Sequence, residues 1–179
     1  MTRIQLTSNL VEQLALEYNN SEMGVIEETL FSITSAEVAA RGFLDYDEFL
    51  KICEWKTVRT KSLVRKNSQE TVNEISQIAF SCSETLRVKI LTILQGVAIP
   101  TASAILTIWN ANLFTVYDYR VLSALEKLEH TALTKTTITG CHLDYYNYLN
   151  VARLIASDLK VSLRDLDKCL WMFDKYKNR

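Results

Sequence analysis

The chain is predicted to be all-α, and three features of its 179 residues predict this. It contains one proline and four glycines, a composition that favours long helices joined by short loops. Apolar residues recur at helical spacing along most of the chain. With 48% hydrophobic and 23% charged residues, the chain is expected to fold around a core. Its length fits one domain, or two small lobes that share an interface.

Nine segments carry the helical pattern, and several begin at a polar residue that suits a helix N-terminus. In chain order they are TSNLVEQLALEY, SEMGVIEETLFSI, DYDEFLKICEW, SQETVNEISQIAFS, SETLRVKILTIL, PTASAILTIW, YRVLSALEKLEH, LDYYNYLNVARLIASDL and SLRDLDKCLWMFDKY. We expect Asp45, Ser68, Asp118 and Ser162 to begin helices and Pro100 to lie in the first turn of its helix. NANLFTVY is expected to be a loop or a short extended piece, and the strand-like LTKTTITG a connector.

The same periodicity predicts which side chains face the core. These are Leu10, Val11, Leu14, Tyr18, Val25, Ile26, Leu30, Ile33, Val72, Ile75, Ile78, Ala79, Leu86, Ile90, Ile93 and Leu94, with Trp171 beside Leu166, Leu170 and Phe173. Residues 90–117 carry no charge, but polar residues, Gly96 and Pro100 interrupt them, so no bilayer-length apolar run survives. This stretch therefore predicts a buried helical hairpin and no membrane span.

The cysteines predict no metal site. Cys53, Cys82, Cys141 and Cys169 form no CxxC pair and no Cys/His cluster, which argues against structural zinc or an iron–sulfur cluster. The N-terminus shows no charged-then-apolar signal pattern, so we expect reduced thiols in a cytoplasmic protein. His130 and His142 have no acid or nucleophile close by in sequence, and we assign them no role.

Charge is unevenly distributed although the net charge is −1. Residues 1–50 contain nine acidic and two basic residues, a net charge of −7. Residues 51–66 contain six basic residues and one acidic residue, a net charge of +5. Residues 160–179 contain six basic and three acidic residues, a net charge of +3. The basic segments suit an anionic partner, while the near-neutral whole argues against nucleic acid.

The stretch LQGVAIPTASAIL, residues 94–106, places one of the four glycines shortly before the only proline. A turn of the form apolar–Gly–apolar, between two helices, exposes backbone N–H groups near a helix N-terminus and so suits an anion such as a DNA phosphate. The alternative for Gly96 is an ordinary helix C-cap.

GVAIPTASAIL, followed by LFTVYDYRV, resembles the common core of the helix-hairpin-helix DNA glycosylase superfamily, which includes endonuclease-III-like and adenine-mismatch enzymes. The resemblance covers about residues 86–125. EWKTVR and LRDLDKCLWMFDK are similar to a bacterial subgroup that lacks the iron–sulfur cluster.

The resemblance implies a two-lobed helical bundle. Its lobes would be residues 1–55 with 119–179, and 56–118, with the hairpin at 86–109. It implies that Asp118 is catalytic: an ionised carboxylate would stabilise the positive charge that develops on the sugar when a base is removed. A helix N-terminus favours such a charged carboxylate, although an N-cap role alone also explains Asp118.

The resemblance further implies duplex DNA with an extruded base as the ligand, and a nucleoid location. Members that also cleave the strand carry a lysine where this chain has Pro100, so the implied enzyme is monofunctional. The turn's usual second glycine is Ala98 here. The resemblance allows a monovalent cation at the hairpin turn and implies no other cofactor.

The remaining site residues fall into two groups, each with a purely structural alternative. The predicted DNA-binding residues are Gly96, Val97, Ala98, Thr101, Lys56, Arg59, Lys61, Arg65, Lys66 and Arg120. The alternative for the charged residues among them is an ordinary solvent-exposed surface. The predicted base-pocket residues are Trp55 and Tyr145, which suit stacking on a flipped base but are alternatively packing residues. The sequence thus leaves three functions open: a monofunctional DNA N-glycosylase, an inactive DNA-binding module with the same fold, and a helical scaffold for a protein partner.

Overall fold

The computed structural model of the chain describes residues 4–131 and 144–176, except for the side chain of Ile33. These residues form ten α-helices, one short 3-10 helix (Val58–Thr60) and one pair of two-residue strands. The helices are α1 (Ser8–Asn19), α2 (Glu22–Arg41), α3 (Tyr46–Lys56), α4 (Lys61–Val64), α5 (Gln69–Ser81), α6 (Glu84–Leu91), α7 (Ile99–Trp109), α8 (Tyr119–Lys127), α9 (Tyr145–Leu159) and α10 (Leu163–Tyr176). The prediction of a mostly helical, all-α chain is confirmed.

The predicted helix starts are also confirmed, each by a hydrogen bond within the first turn. The side chains of Asp45, Ser68 and Ser162 accept from the backbone N–H three residues on, at 2.8, 3.1 and 2.9 Å. Asp118 accepts from the N–H of Arg120 at 2.9 Å. Pro100 lies in the first turn of α7 as expected.

The chain divides into two compact units. The discontinuous unit comprises Met1–Val25 and Tyr117–Arg179, and the continuous unit comprises Ile26–Val116. The predicted lobes place one boundary after residue 118, close to the observed one. Residues 26–55, however, belong with the hairpin rather than with the termini, because α3 packs against α7.

In the discontinuous unit, α10 packs against α1, α8 and α9. Its core contains Leu14 of α1, Leu125 of α8, Ile155 of α9 and Leu170 of α10, all buried. Strand β1 (Ile4–Gln5) pairs in parallel with β2 (Leu128–Glu129), a contact that the sequence pattern did not predict.

The continuous unit is centred on α7. Every residue from Thr101 to Ile108 is buried, and α3 and α6 pack against this helix. Two buried hydroxyls of α7 are satisfied within the helix: Ser103 Oγ donates to the Pro100 carbonyl at 2.9 Å, and Thr107 Oγ1 to the Ser103 carbonyl at 2.8 Å. Burial on all sides explains why this segment carries no charge. No helix within the described part of the chain is both long and apolar enough to cross a membrane.

Several predicted core residues are instead exposed. They are Val25, Ile26, Ile78, Leu86 and Ile93, whose relative exposure lies between 43% and 64%. In α2 the buried residues are Glu27, Leu30, Thr34 and Val38, so Leu30 faces the core as predicted, whereas Val25 and Ile26 do not. Periodicity gives a helix but not its rotation when apolar residues occupy more than one face. LTKTTITG, Cys141 and His142 lie outside the described residues.

Candidate nucleic-acid interface

The link between α6 and α7 contains a tight turn at residues 94–97. The N–H of Val97 donates to the Leu94 carbonyl at 3.1 Å, and Gly96 has a φ of +79°. A positive φ at the third turn position is typical of a type II turn and favours glycine there. Because α6 ends at Leu91 with Thr92 as its C-cap, the alternative of Gly96 as a helix C-cap is wrong.

Gly96 also allows the turn to lie directly against α4. A Cβ atom at this position would be 2.9 Å from Leu63 Cβ, from Val64 Cγ1 and from the Val64 backbone nitrogen. The glycine therefore serves packing as well as the turn conformation, and it holds the turn beside the basic segment of residues 51–66.

Asn67, which sequence reasoning did not single out, joins the same two elements. Its side chain is buried and pairs with both backbone groups of Gln95: Oδ1 accepts from the N–H at 2.8 Å, and Nδ2 donates to the carbonyl at 3.0 Å. Nδ2 also donates to the Val64 carbonyl at 2.8 Å. In the sequence, Asn67 is distinguished only by its position just before the Ser68 cap, and its partner Gln95 is 28 residues away.

The turn presents three backbone donors. Among the described residues, the N–H groups of Gly96, Ala98 and Ile99 have no hydrogen-bond partner, and both Ala98 and Ile99 are exposed. Two predicted contributors are corrected: Val97 and Thr101 are buried, and their N–H groups donate to the carbonyls of Leu94 and Ala98. Free donors at the N-terminus of an eleven-residue helix make a favourable environment for an anion.

The predicted basic residues lie close to the turn but are not all equally available. Lys61 Nζ lies 2.9 Å from Glu54 Oε1, and an Arg65 Nη lies 3.2 Å from the same oxygen. These contacts lower the pKa of Glu54, chiefly through the hydrogen bond from Lys61. Arg59 and Lys66 are exposed, and Lys56 is half-buried. The positive charges of Lys61 and Arg65 are therefore partly neutralised by Glu54.

The two predicted base-pocket residues both make packing contacts. Trp55 is half-buried, with its ring edge-on to Phe31 at a centroid distance of 6.2 Å. Tyr145 is 2% exposed, and its ring contacts those of Tyr117, Tyr146 and Tyr148. Neighbouring rings cover Tyr145, an arrangement that favours the packing alternative over stacking on a flipped base.

Asp118 lies in the discontinuous unit, at the start of α8. The residue is half-buried, and its Oδ1 accepts from the Arg120 N–H. The guanidinium of Arg120, a predicted DNA-binding residue, lies 3.2 Å from Asp174 Oδ2, and its side chain remains 30% exposed.

Asp174 is the anchor of this ion-pair group. It also accepts from Ser123 Oγ at 2.7 Å and from Lys127 Nζ at 3.2 Å. Burial opposes the charged form of Asp174, but the hydrogen bonds from Ser123 and Lys127 and the nearby positive charges outweigh it and lower the pKa.

The described cysteines and acids give no sign of metal chemistry. Within residues 4–131 and 144–176, no three His, Cys, Asp or Glu side chains are grouped to hold a metal ion. Cys53, Cys82 and Cys169 are free thiols. Burial raises the pKa of both Cys53 and Cys169 to about 12, so neither has the character of a reactive thiolate.

The geometry thus brings the turn, its free donors and the basic segment together in one unit, and it places the capped carboxylate of Asp118 in the other. We compared the chain with models of protein families, with curated proteins and with solved structures, and none of these comparisons found a match.

Proposed function

We propose that the chain binds duplex DNA through the α6–α7 turn and removes a damaged or modified base as a monofunctional N-glycosylase. The observation that carries the proposal is the trio of N–H groups of Gly96, Ala98 and Ile99, which have no partner in the described chain and lie beside the basic segment. The sequence resemblance supplies the reaction class.

In this proposal the three donors bind one phosphate group, and the exposed cations Arg59 and Lys66 contact the backbone nearby. Such contacts do not depend on sequence, because every nucleotide presents the same phosphate. The turn carbonyls of Leu94 and Gln95 already accept hydrogen bonds from within the protein, and no step of the proposal uses a cation there.

The proposed chemistry assigns one role to Asp118. Water adds to the anomeric carbon as the bond to the base breaks, the base leaves with a proton, and an abasic sugar remains. The carboxylate stabilises the positive charge that develops on the sugar and orients the water. Its N-cap hydrogen bond fixes the carboxylate for this role. Pro100 offers no amine for a Schiff base, so strand cleavage is not expected.

The second candidate is a DNA-binding module without chemistry. One observation favours it: the Asp118 carboxylate already has a structural role, since it caps α8. Ala98 in place of a second glycine fits this candidate equally well.

DNA binding is tested by removing a single donor. Ile99→Pro deletes one free N–H at the first helical position, where proline is favoured, and Ala98 before it is already extended with a ψ of 176°. The matched control Ile99→Ala keeps the N–H and removes the exposed side chain. We expect Ile99→Pro to weaken duplex binding, measured by fluorescence anisotropy, about tenfold, because one charge-assisted hydrogen bond to phosphate is lost. Ile99→Ala should change the binding little. Equal binding by Ile99→Pro and wild type would refute the role of the turn.

Catalysis is tested with two aspartates of the same local geometry. Asp118 and Asp144 both cap a helix and accept from the N–H two residues on at 2.9 Å. Asparagine preserves a cap but removes the charge. With duplexes that each contain one altered base, followed by alkaline cleavage of abasic sites, we expect Asp118→Asn to abolish base release and Asp144→Asn to retain it. If wild type releases no base from any duplex but still binds them, the second candidate is correct.

A further inference from the structure

Aromatic and cationic side chains alternate along the surface of the discontinuous unit, starting at the two residues that follow Asp118. Arg120 Cζ lies 5.0 Å from the ring centroid of Tyr119 and 5.8 Å from that of Trp171. Lys175 Nζ lies 4.6 Å from the Trp171 centroid and 4.6 Å from that of Tyr176. The order is therefore Tyr119, Arg120, Trp171, Lys175, Tyr176, which we call the aromatic–cationic ribbon.

Tertiary packing assembles the ribbon from two separate segments. Tyr119 and Arg120 belong to the first turn of α8, and the other three residues belong to the end of α10, which packs against α8. Asp174 fixes the junction because it pairs with Arg120 at 3.2 Å and with Lys127 at 3.2 Å. Trp171, expected in the core, is half-buried. Its ring is nearly perpendicular to that of Tyr18, with 5.5 Å between the ring centroids.

The two ends of the ribbon are open. Tyr119 is 67% exposed and Tyr176 is 48% exposed, so both present ring surface to solvent. Arg120, Lys127 and Lys175 against Asp174 and the adjoining Asp118 leave the surface with a net charge of about +1 by simple counting of formal charges. Lys168 adds a further cation on the adjoining side, 5.7 Å from the Tyr18 ring.

We propose that the aromatic–cationic ribbon binds single-stranded nucleic acid, with unpaired bases stacked on Tyr119 and Tyr176 and phosphates held by Arg120 and Lys175. Stacking platforms interleaved with cations are suited to this ligand, because every base offers a ring face and every nucleotide a phosphate. A duplex hides its base faces, and an acidic peptide would need the cations but not the exposed rings. This site goes beyond the proposed function and requires neither the α6–α7 turn nor the chemistry of Asp118.

The test measures binding of a labelled oligothymidylate of about twelve nucleotides, within the usual site size for single-strand binders, by fluorescence anisotropy. The double variant Tyr119→Ala with Tyr176→Ala removes both rings, and the double variant Tyr119→Phe with Tyr176→Phe keeps them. Both tyrosines are exposed, so neither change disturbs the core; circular dichroism checks this. We expect the alanine pair to weaken binding at least tenfold, the phenylalanine pair to bind within about twofold of wild type, and wild type to prefer the single strand to its duplex.

Salt dependence and a competitor complete the test. Lys175→Gln should reduce the dependence of binding on salt by about one phosphate contact. The proposal is overturned if the alanine pair binds oligothymidylate as tightly as wild type, if Lys175→Gln leaves the salt dependence unchanged, or if polyglutamate competes as effectively as unlabelled oligothymidylate. Ile99→Pro separates the two proposals: it should weaken duplex binding and leave single-strand binding intact. Loss of single-strand binding in Ile99→Pro would assign that binding to the turn and overturn the ribbon.

Discussion

Gly96 and Gly42 have almost the same backbone conformation but different surroundings. Their φ angles are +79° and +80°. A Cβ at Gly42 would meet nothing within 4 Å, whereas at Gly96 it would meet Leu63 and Val64 at 2.9 Å. The pair therefore separates the energy of backbone strain from the energy of close packing.

We expect Gly42→Ala to lower the free energy of unfolding by about 1 kcal/mol, from a left-handed backbone alone. Gly96→Ala should lower it by about 1–3 kcal/mol more, because the turn or α4 must move. Urea denaturation measures both values. Equal losses in the two variants would contradict the packing role of Gly96. A bulky residue at Gly96 is for the same reason a poor test of phosphate binding, since it disturbs the fold first.

At the element scale, the hairpin is held to α4 by hydrogen bonds as well as by contact. Asn67 satisfies three backbone groups, those of Val64 and Gln95, with one buried side chain. A buried backbone group without a partner destabilises the folded state more than a formed bond stabilises it. Asn67 is therefore expected to be a principal determinant of how the turn sits on the basic segment.

We expect Asn67→Asp to lower the free energy of unfolding at neutral pH by about 2–4 kcal/mol, more than Asn67→Ala does, because it sets a buried carboxylate against two carbonyls. That environment raises the pKa of the new carboxyl group in the folded state above its unfolded value of about 3.9. The deficit relative to wild type should therefore shrink as pH falls through the raised pKa, since the protonated group can donate. Urea denaturation at several pH values tests this, and a deficit independent of pH would contradict it.

The helix starts were the part of the fold that could be predicted, and α2 shows where prediction stopped. Asp45, Ser68, Asp118 and Ser162 cap their helices because the hydrogen bond involves residues two or three positions away. The rotation of α2 depends instead on its neighbours in space, and there Glu27 is buried while Ile26 is exposed. The burial of Tyr145 likewise depends on tertiary packing, since the rings that contact it include that of Tyr117, far away in sequence.

At the scale of the whole molecule, the near-neutral net charge says little about nucleic-acid binding. Charges separated by more than about 8 Å are largely screened at physiological salt, so a ligand senses the local surface. Residues 51–66 carry a net charge of +5, and they lie in the same unit as the free donors of the turn. A net charge of −1 is therefore only weak evidence against nucleic-acid binding.

We expect the continuous unit to fold without the rest of the chain. Residues 21–116 keep Ser21, whose Oγ accepts from the Gly24 N–H at the start of α2. We expect this fragment to be helical by circular dichroism and to unfold cooperatively in urea, with an m-value of about 1 kcal/mol/M. It should also retain duplex binding that is sensitive to Ile99→Pro. A gradual, non-cooperative transition would show that the unit needs the rest of the chain to fold.

The sequence by itself determined the helical class, the places where helices begin, and the turn at Gly96, because each depends on backbone preferences and hydrogen bonds between near neighbours. Only the tertiary structure decided which side chains distant in sequence are partners. Arg120 pairs with Asp174 across 54 residues, and Asn67 holds Gln95 across 28. Which faces of the helices meet is set by packing of the whole core, so these contacts, and the surfaces that they leave open for a ligand, follow from the fold rather than from any local pattern.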